Sequence, residues 1–156
     1  MGRLTKGQQN WLILSTATAA LAIGGVLTRA PMARAADDAK GVQFFEAKVR
    51  PILAEHCVRC HGEEKHKGDL RLDTRENLLK GGKDDNDKPQ KVVELGNPDK
   101  SLMIEAIGYK NEDIQMPPPK KKVSQKLTDE QISTLKEWVK MGAPYGAKPV
   151  EATTKE

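Results

Sequence analysis

The chain has few of the residues that usually build a core or a catalytic centre. Its 156 residues include two cysteines, three histidines and six residues of Phe, Tyr or Trp. Large aromatic side chains normally supply much of the buried area of a core. About 120 residues can bury a core unaided, but this shortage of aromatics favours an interior completed by a bound apolar group.

The part of the chain that follows the N-terminal leader also lacks an excess of charge of one sign. The sequence has 26 basic and 22 acidic residues, and four of the basic ones lie in residues 1–35, which contain no acid. The remainder is therefore formally neutral. The high overall pI reflects the leader and gives no reason to expect a nucleic-acid partner.

Residues 1–35 are typical of a secretory signal peptide. Arg3 and Lys6 precede an uncharged apolar run from Trp11 to Leu27, and the sequence 33–35 (ARA) supplies an A-x-A cleavage pattern. An uncleaved membrane anchor is the alternative, with a run at the lower limit of spanning length. Either reading places the folded part outside the cytoplasm, in the periplasm or at a membrane facing it.

Helical spacing dominates the rest of the chain, and no strand pattern or repeat is found. Apolar residues of 42–53 share one helical face, and Pro51 predicts an interruption after Arg50. Further helices are predicted over 75–80 after Thr74, from Asn97-Pro98 to Ile107, and from Thr128, whose capping box uses Gln131. The sequence thus predicts an all-α domain over 36–146 and a disordered tail over 147–156, with a solvated charged insert at 83–91.

The sequence from Cys57 to His61 (CVRCH) is C-x-x-C-H, the pattern of haem c attachment. Two thiols three residues apart in a helical turn can each bond to one vinyl group of a haem. The following His61 can then bind the iron as the proximal imidazole. We therefore predict one covalently attached haem c per chain.

Three other uses of the two cysteines fit the sequence less well. A disulfide between them would close a very short loop and stabilise little. A zinc site with His61 and His66 lacks a third cysteine. A thioredoxin-type redox pair lacks the surrounding β-α-β pattern.

Met116 is the candidate for the opposite axial position of the iron. It precedes three prolines, and proline restricts both its own backbone and that of the residue before it. Two other methionines, Met103 and Met141, could supply a thioether instead. The alternatives to methionine are a histidine, His56 or His66, and an iron with no sixth ligand. Arg71 and Arg75 are candidates to bind haem propionates, and the acceptor for the second ring nitrogen of His61 is expected in the 62–72 loop.

At this point the chain resembles the class I cytochrome c family, and more closely the planctomycete-type cytochrome c domain. The resemblance rests on motifs spread over residues 42–146: VRPIL at 49–53, CVRCHG at 57–62, KGDLRLD at 67–73, GNPDKSL at 96–102, MPP at 116–118 and WVKMGAP at 138–144. It implies a cytochrome c fold of four to five short helices enclosing the haem, with His61 and Met116 as axial ligands. It also implies that Gly41 and Phe45 on the first helix meet Trp138 on the last.

The function expected from these features is electron transfer by an exported monohaem cytochrome rather than catalysis. The partner would be a periplasmic or membrane-bound redox protein, with Lys120, Lys121, Lys122 and Lys126 as a candidate docking patch. Two alternatives remain: the haem-bearing subunit of an exported oxidoreductase, and a haem-based sensor or peroxidase-like protein whose sixth ligand is displaceable.

Overall fold

The computed structural model describes residues 31–119 and 126–153. The predicted signal peptide lies largely, and Lys120, Lys121 and Lys122 lie entirely, outside the described residues. Within them, no helix combines the length and the apolar character that crossing a bilayer requires. The helices are α1 (Pro31–Phe44), α2 (Arg50–His56), α3 (Arg75–Lys80), α4 (Leu102–Ile107) and α5 (Asp129–Lys140).

The helical path from Pro31 to His56 continues through Pro51, so the interruption predicted there does not occur. A π-helical turn, Phe45–Val49, joins α1 to α2, and the amide of Arg50 bonds to the carbonyl of Phe45. A wider turn before a proline makes room for its ring and accommodates its missing amide donor. This turn delivers the chain to Cys57 without a break.

The first and last helical segments meet in the core as the family resemblance implied. Phe45, Trp138 and Tyr145 form an aromatic cluster, with ring centroids 6.2 Å apart for Phe45 and Trp138 and 4.3 Å apart for Phe45 and Tyr145. The Trp138 indole donates a hydrogen bond to the carbonyl of Pro144 at 2.7 Å. Gly41 lies against the same proline, since a Cβ there would stand 2.9 Å from Pro144 Cγ.

The predicted helix starts at Thr74 and Thr128 are confirmed. The Thr74 hydroxyl accepts from the amide of Asn77, and Thr128 forms a complete capping box with Gln131. The helix predicted from Asn97 is divided instead: a 3-10 turn, Pro98–Lys100, precedes α4, and extended Ser101 separates them. The Ser101 hydroxyl bonds to the backbone of Glu94 and Asn97, which stabilises this bend.

The charged insert forms a small antiparallel hairpin, a departure from the purely helical prediction. Strand β1 (Gly82–Lys83) pairs with β2 (Pro89–Gln90). Asp84 stabilises the turn because its carboxylate accepts from the amides of Asn86 and Lys88, both at 2.9 Å. Side chain-to-backbone bonds of this kind are a local device that residue periodicity does not reveal.

The segment predicted as a disordered tail packs against the domain over residues 147–153. Val150 is 3% exposed, and its amide bonds to the carbonyl of Asp73 at 2.8 Å. Arg50 donates to the carbonyls of Lys148 and Pro149, and the amide of Thr153 donates to the carbonyl of Ala54. Residues 154–156 lie outside the described part of the chain.

Candidate haem-attachment site

The C-x-x-C-H sequence forms a tight turn directly after α2. The amides of Cys57 and Val58 both bond to the carbonyl of Leu53, and those of Cys60 and His61 bond to the carbonyl of Cys57 at 3.1 and 3.0 Å. The helical turn that the motif predicts is therefore present. It orders both thiols and the imidazole within one turn of backbone.

The loop that follows the motif holds this turn in place through close backbone contacts. The amide of Leu72 bonds to the carbonyl of His61 at 2.8 Å, and that of Lys67 bonds to the carbonyl of Cys60 at 3.0 Å. Gly62 is required here, since a Cβ would lie 2.3 Å from the carbonyl oxygen of Val58. The residue after His61 therefore packs too tightly to carry a side chain.

The two cysteines are free thiols and are not joined to each other. Cys57 is buried, and burial, with a smaller effect from Cys60, raises its pKa to about 12. The Cys57 thiol therefore stays protonated at neutral pH and is a poor nucleophile for disulfide exchange. Within residues 31–119 and 126–153, no three side chains of His, Cys, Asp or Glu converge to hold a metal ion, so these residues do not build the zinc alternative.

His61 carries a buried ring nitrogen without a partner. Its Nδ1 makes no hydrogen bond within the described part of the chain. Burial lowers the pKa of His61, while the nearby carbonyls of Leu70 and Lys67 raise it by less, so the net shift is downward. The imidazole is thus neutral at physiological pH, the form that binds a metal. Both carbonyls belong to the 62–72 loop, the segment in which the sequence predicts an acceptor for the second ring nitrogen.

A cavity of about 890 Å³ opens beside the motif and unites the predicted ligands. Its lining includes Cys57, Cys60 and His61 and, from a later part of the chain, Met116 with Pro117. Apolar residues supply much of the remaining lining: Leu70, Leu72, Val92, Leu102, Met103, Ala106, Ile107 and Ile114.

Backbone and side-chain bonds hold Met116 at this cavity. Its amide donates to the carbonyl of Ala106 at 3.1 Å, and the hydroxyl of Tyr109 donates to the carbonyl of Pro117. The Met116 side chain is 38% exposed. Met103, interpreted from the sequence as ordinary packing, also lines the cavity and is 8% exposed.

The other candidates for the sixth ligand differ in whether they line the cavity. His56 lines the cavity and pairs through Nε2 with the Gln131 amide at 3.2 Å, whereas His66 is exposed. Met141 is exposed and lies outside the cavity lining.

Arg71 and Arg75, the candidates for the propionates, are also outside the cavity lining. Arg71 pairs with Asp73, and Arg75 donates to the carbonyls of Gly142 and Ala143. The structure therefore provides no support for their proposed contact with a haem.

The hairpin and Tyr109 are the site features that the sequence reasoning missed. Gly82, Lys83, Asp84, Asp85 and Gln90 line the cavity, so the charged insert forms part of its rim. The hairpin contacts the 3-10 turn Lys67–Asp69 there, as in the ion pair of Lys83 with Asp69 at 3.5 Å. The sequence feature that could have drawn attention to Tyr109 is its place directly after Gly108, the glycine that ends α4.

These residues fit a haem. Two free thiols, a neutral imidazole and a thioether all line one largely apolar cavity. The cavity volume falls in the range of cofactor-sized sites. One buried nitrogen of this imidazole, Nδ1, has no hydrogen-bond partner among the described residues, so no protein group occupies it.

Comparison with known proteins supports the same interpretation. Residues 57–120 match the family model described as Planctomycete cytochrome C. The match starts at the first cysteine, ends beyond the Met116 loop and covers less than half of the chain. Neither the curated proteins nor the solved structures gave a match. Residues 57–120, which carry the motif turn and much of the cavity lining, are therefore similar to a planctomycete cytochrome c, and proteins of that family bind haem c.

Proposed function

We propose that this chain is an exported monohaem cytochrome that transfers electrons through an iron held by His61 and Met116. The observation that carries the proposal is the convergence of Cys57, Cys60, His61 and Met116 on one cavity, although 55 to 59 positions separate Met116 from the other three. When bound, the haem would supply an iron that alternates between the ferrous and ferric states.

The chain's own residues suit a carrier rather than an enzyme. The two thiols would anchor the cofactor covalently, and the buried imidazole would occupy one axial position. The Met116 thioether, which favours ferrous iron, would occupy the other and leave no position for a substrate. The apolar walls would exclude water, and a dry surrounding keeps the reorganisation on electron transfer small.

The redox partner is proposed to be a periplasmic or membrane-bound protein that approaches the Met116 side of the cavity. Met116 and Pro118 are exposed there, and exposed Lys126 places its ammonium 5.6 Å from the centre of the Tyr109 ring. A positive side chain at this edge would attract an acidic partner and make association dependent on salt. A haem subunit within a larger exported oxidoreductase would use the same edge.

The exposure of Met116 is the one observation that favours the sensor or peroxidase-like alternative. A thioether that is 38% exposed could be displaced by a small ligand. Rapid binding of carbon monoxide by the unmodified ferrous protein would support that function. Its absence would favour the carrier.

The proposal is tested by a redox-difference spectrum of protein matured with cytochrome c assembly factors. We expect a low-spin, six-coordinate haem that acidified acetone does not extract. The double variant Cys57→Ala, Cys60→Ala should yield protein without covalent haem. Pigment extractable from the unmodified protein, or an iron-free preparation, would refute the proposed attachment.

The sixth ligand is tested by three matched methionine variants. Met116→Ala should keep the attached haem but bind carbon monoxide in the ferrous state, because one axial position is opened. Met103→Ala, at the second cavity methionine, and Met141→Ala, at an exposed one, should remain six-coordinate. Carbon monoxide binding confined to Met103→Ala would reassign the ligand.

A further inference from the structure

Among the described residues, the Tyr109 side chain makes one hydrogen bond, and that bond reaches the Met116 loop. Its hydroxyl donates to the carbonyl of Pro117, the residue after the proposed ligand. With the bond from the Met116 amide to Ala106, the loop is held from both sides of the methionine. Both anchors belong to the C-terminal end of α4 and the residues just beyond it.

The backbone at Tyr109 is one that a tyrosine adopts at a cost. Its φ is +58°, in the left-handed region that glycine and asparagine occupy most easily. Helices commonly end with such a residue, and glycine is the usual choice. A bulky aromatic in this conformation indicates that its side chain has a use which offsets the strain.

The surroundings of Tyr109 keep its hydroxyl in the donating form. Burial raises the pKa of Tyr109 above its ordinary value, so the phenol is neutral at physiological pH. The Lys126 ammonium lies over the ring face at 5.6 Å, which stabilises the ring position by a cation–π contact. The hydroxyl is therefore presented to Pro117 in a fixed orientation.

We infer that Tyr109 is a positioning residue that keeps Met116 at the iron and limits its displacement by outside ligands. The inference rests on the proposed function, since it takes Met116 to be the sixth ligand. Tyr109 acts through the loop and does not itself bind the iron. Because Met116 is exposed, the hydrogen bond to the next residue adds a contact that opposes outward movement of the loop.

The experiment measures imidazole binding to the ferric, haem-loaded protein and its two tyrosine variants. Tyr109→Phe removes the hydroxyl and keeps the ring. It should raise the imidazole binding constant about fivefold, the factor expected from one net hydrogen bond. It should also weaken the long-wavelength charge-transfer band that marks methionine bound to ferric haem.

Tyr145→Phe is the matched control, because the Tyr145 hydroxyl bonds at 3.0 Å to the carbonyl of Leu72, away from the Met116 loop. It should leave imidazole binding and the band unchanged even if it lowers stability. If Tyr109→Phe does not fold, Tyr109→Asn replaces it, since asparagine accepts the left-handed backbone. The same rise in imidazole affinity is then expected.

The outcomes separate the two proposals. An unmodified protein with the band, together with a Tyr109 variant that binds imidazole no more tightly, would overturn the inference and leave the proposed function in place. An equal rise in Tyr145→Phe would also overturn it, because the effect would then be general loosening. Absence of the band from the unmodified protein would refute methionine ligation, and the inference with it.

Discussion

Asp73 shows how a single residue connects the attachment loop to the rest of the domain. Its side chain is 3% exposed and accepts bonds from Arg71 and from Asn77, the latter at 2.9 Å. Its carbonyl accepts from the amide of Val150. The amide of the preceding residue, Leu72, bonds to the carbonyl of His61. This short segment therefore ties the backbone of the proposed iron ligand to the rest of the domain.

We predict that Asp73 contributes stability that acid removes. Burial raises the pKa of Asp73, but the bonds from Arg71 and Asn77 lower it by more, so the folded-state pKa lies below the ordinary value of 3.8. Its contribution is therefore complete above about pH 5 and is lost as pH falls through the lowered folded-state pKa. Urea denaturation of the haem-loaded protein at a series of pH values measures this loss.

Asp73→Asn is the variant that isolates the effect. It should lower the free energy of unfolding by roughly 1–3 kcal/mol at neutral pH, and the difference from the unmodified protein should shrink below about pH 4. Glu105→Gln, at an exposed site on α4, is the control and should change stability little. A difference for Asp73→Asn that is constant with pH would contradict the prediction.

At the scale of elements, the contact between the first and last helices determines where the motif turn lies. Phe45 belongs to the π-helical turn and is fully buried against Trp138 and Tyr145. The wide turn lets the chain pass Pro51 and remain helical to His56. If the helix ended at Arg50, the motif turn would not follow directly from α2, and the two thiols would lie elsewhere relative to the core.

The close approach of Gly41 to Pro144 gives a prediction for this contact. Gly41→Ala gains helix propensity of about 1 kcal/mol, but its Cβ would stand 2.9 Å from Pro144 Cγ. Overpacking costs about 1–3 kcal/mol, so a net loss of about 1 kcal/mol is expected. Thermal or urea unfolding of the haem-loaded protein measures it.

The double-mutant cycle with Pro144→Ala decides whether this contact is the cause. Pro144→Ala removes Cγ, the closest atom, but keeps Cβ, which would stand 3.1 Å from the new methyl group, so Gly41→Ala should cost less in that background. The bond from Trp138 to the carbonyl of residue 144 can remain, because it uses the backbone. Equal effects of Gly41→Ala in both backgrounds would exclude steric contact with Pro144.

At the scale of the whole molecule, segments distant in sequence close around the attachment turn. The C-terminal segment 147–153 bonds to Arg50 and Ala54 near the end of the first helical path, and to Asp73 beyond the motif. The Met116 loop, which follows α4 in the chain, lines the same cavity as the motif turn. The docked C-terminal segment therefore belongs to the domain that holds the haem site.

We predict that this docking contributes measurably to stability. Val150→Ala should lower the free energy of unfolding by about 2 kcal/mol, because Val150 is 3% exposed and loses two buried methyl groups. Ala152→Ser, at a neighbouring exposed position, should lie within about 0.5 kcal/mol of the unmodified protein. Equal unfolding midpoints for both variants and the unmodified protein would show that the segment detaches in solution.

Local chemistry let the sequence by itself determine the attachment motif and much of the helical framework. The motif turn, the caps at Thr74 and Thr128, and the facing aromatics Phe45 and Trp138 depend on spacings of a few residues or on the stated family resemblance. Such spacings act through bonds between near neighbours, so they can be read without the fold. The expected class of cofactor follows from spacings of the same kind, within the five residues of the C-x-x-C-H motif.

Only the tertiary structure decided the features that depend on distant partners. The passage of the helix through Pro51, the hairpin at the cavity rim and the buried Val150 each require a neighbour that periodicity does not specify. Tyr109 is the clearest case, because its role depends on a carbonyl eight positions away across a loop. At these places, packing and hydrogen bonds between remote segments contribute more free energy than local propensity does. These contributions depend on the whole fold, so no short stretch of residues specifies them.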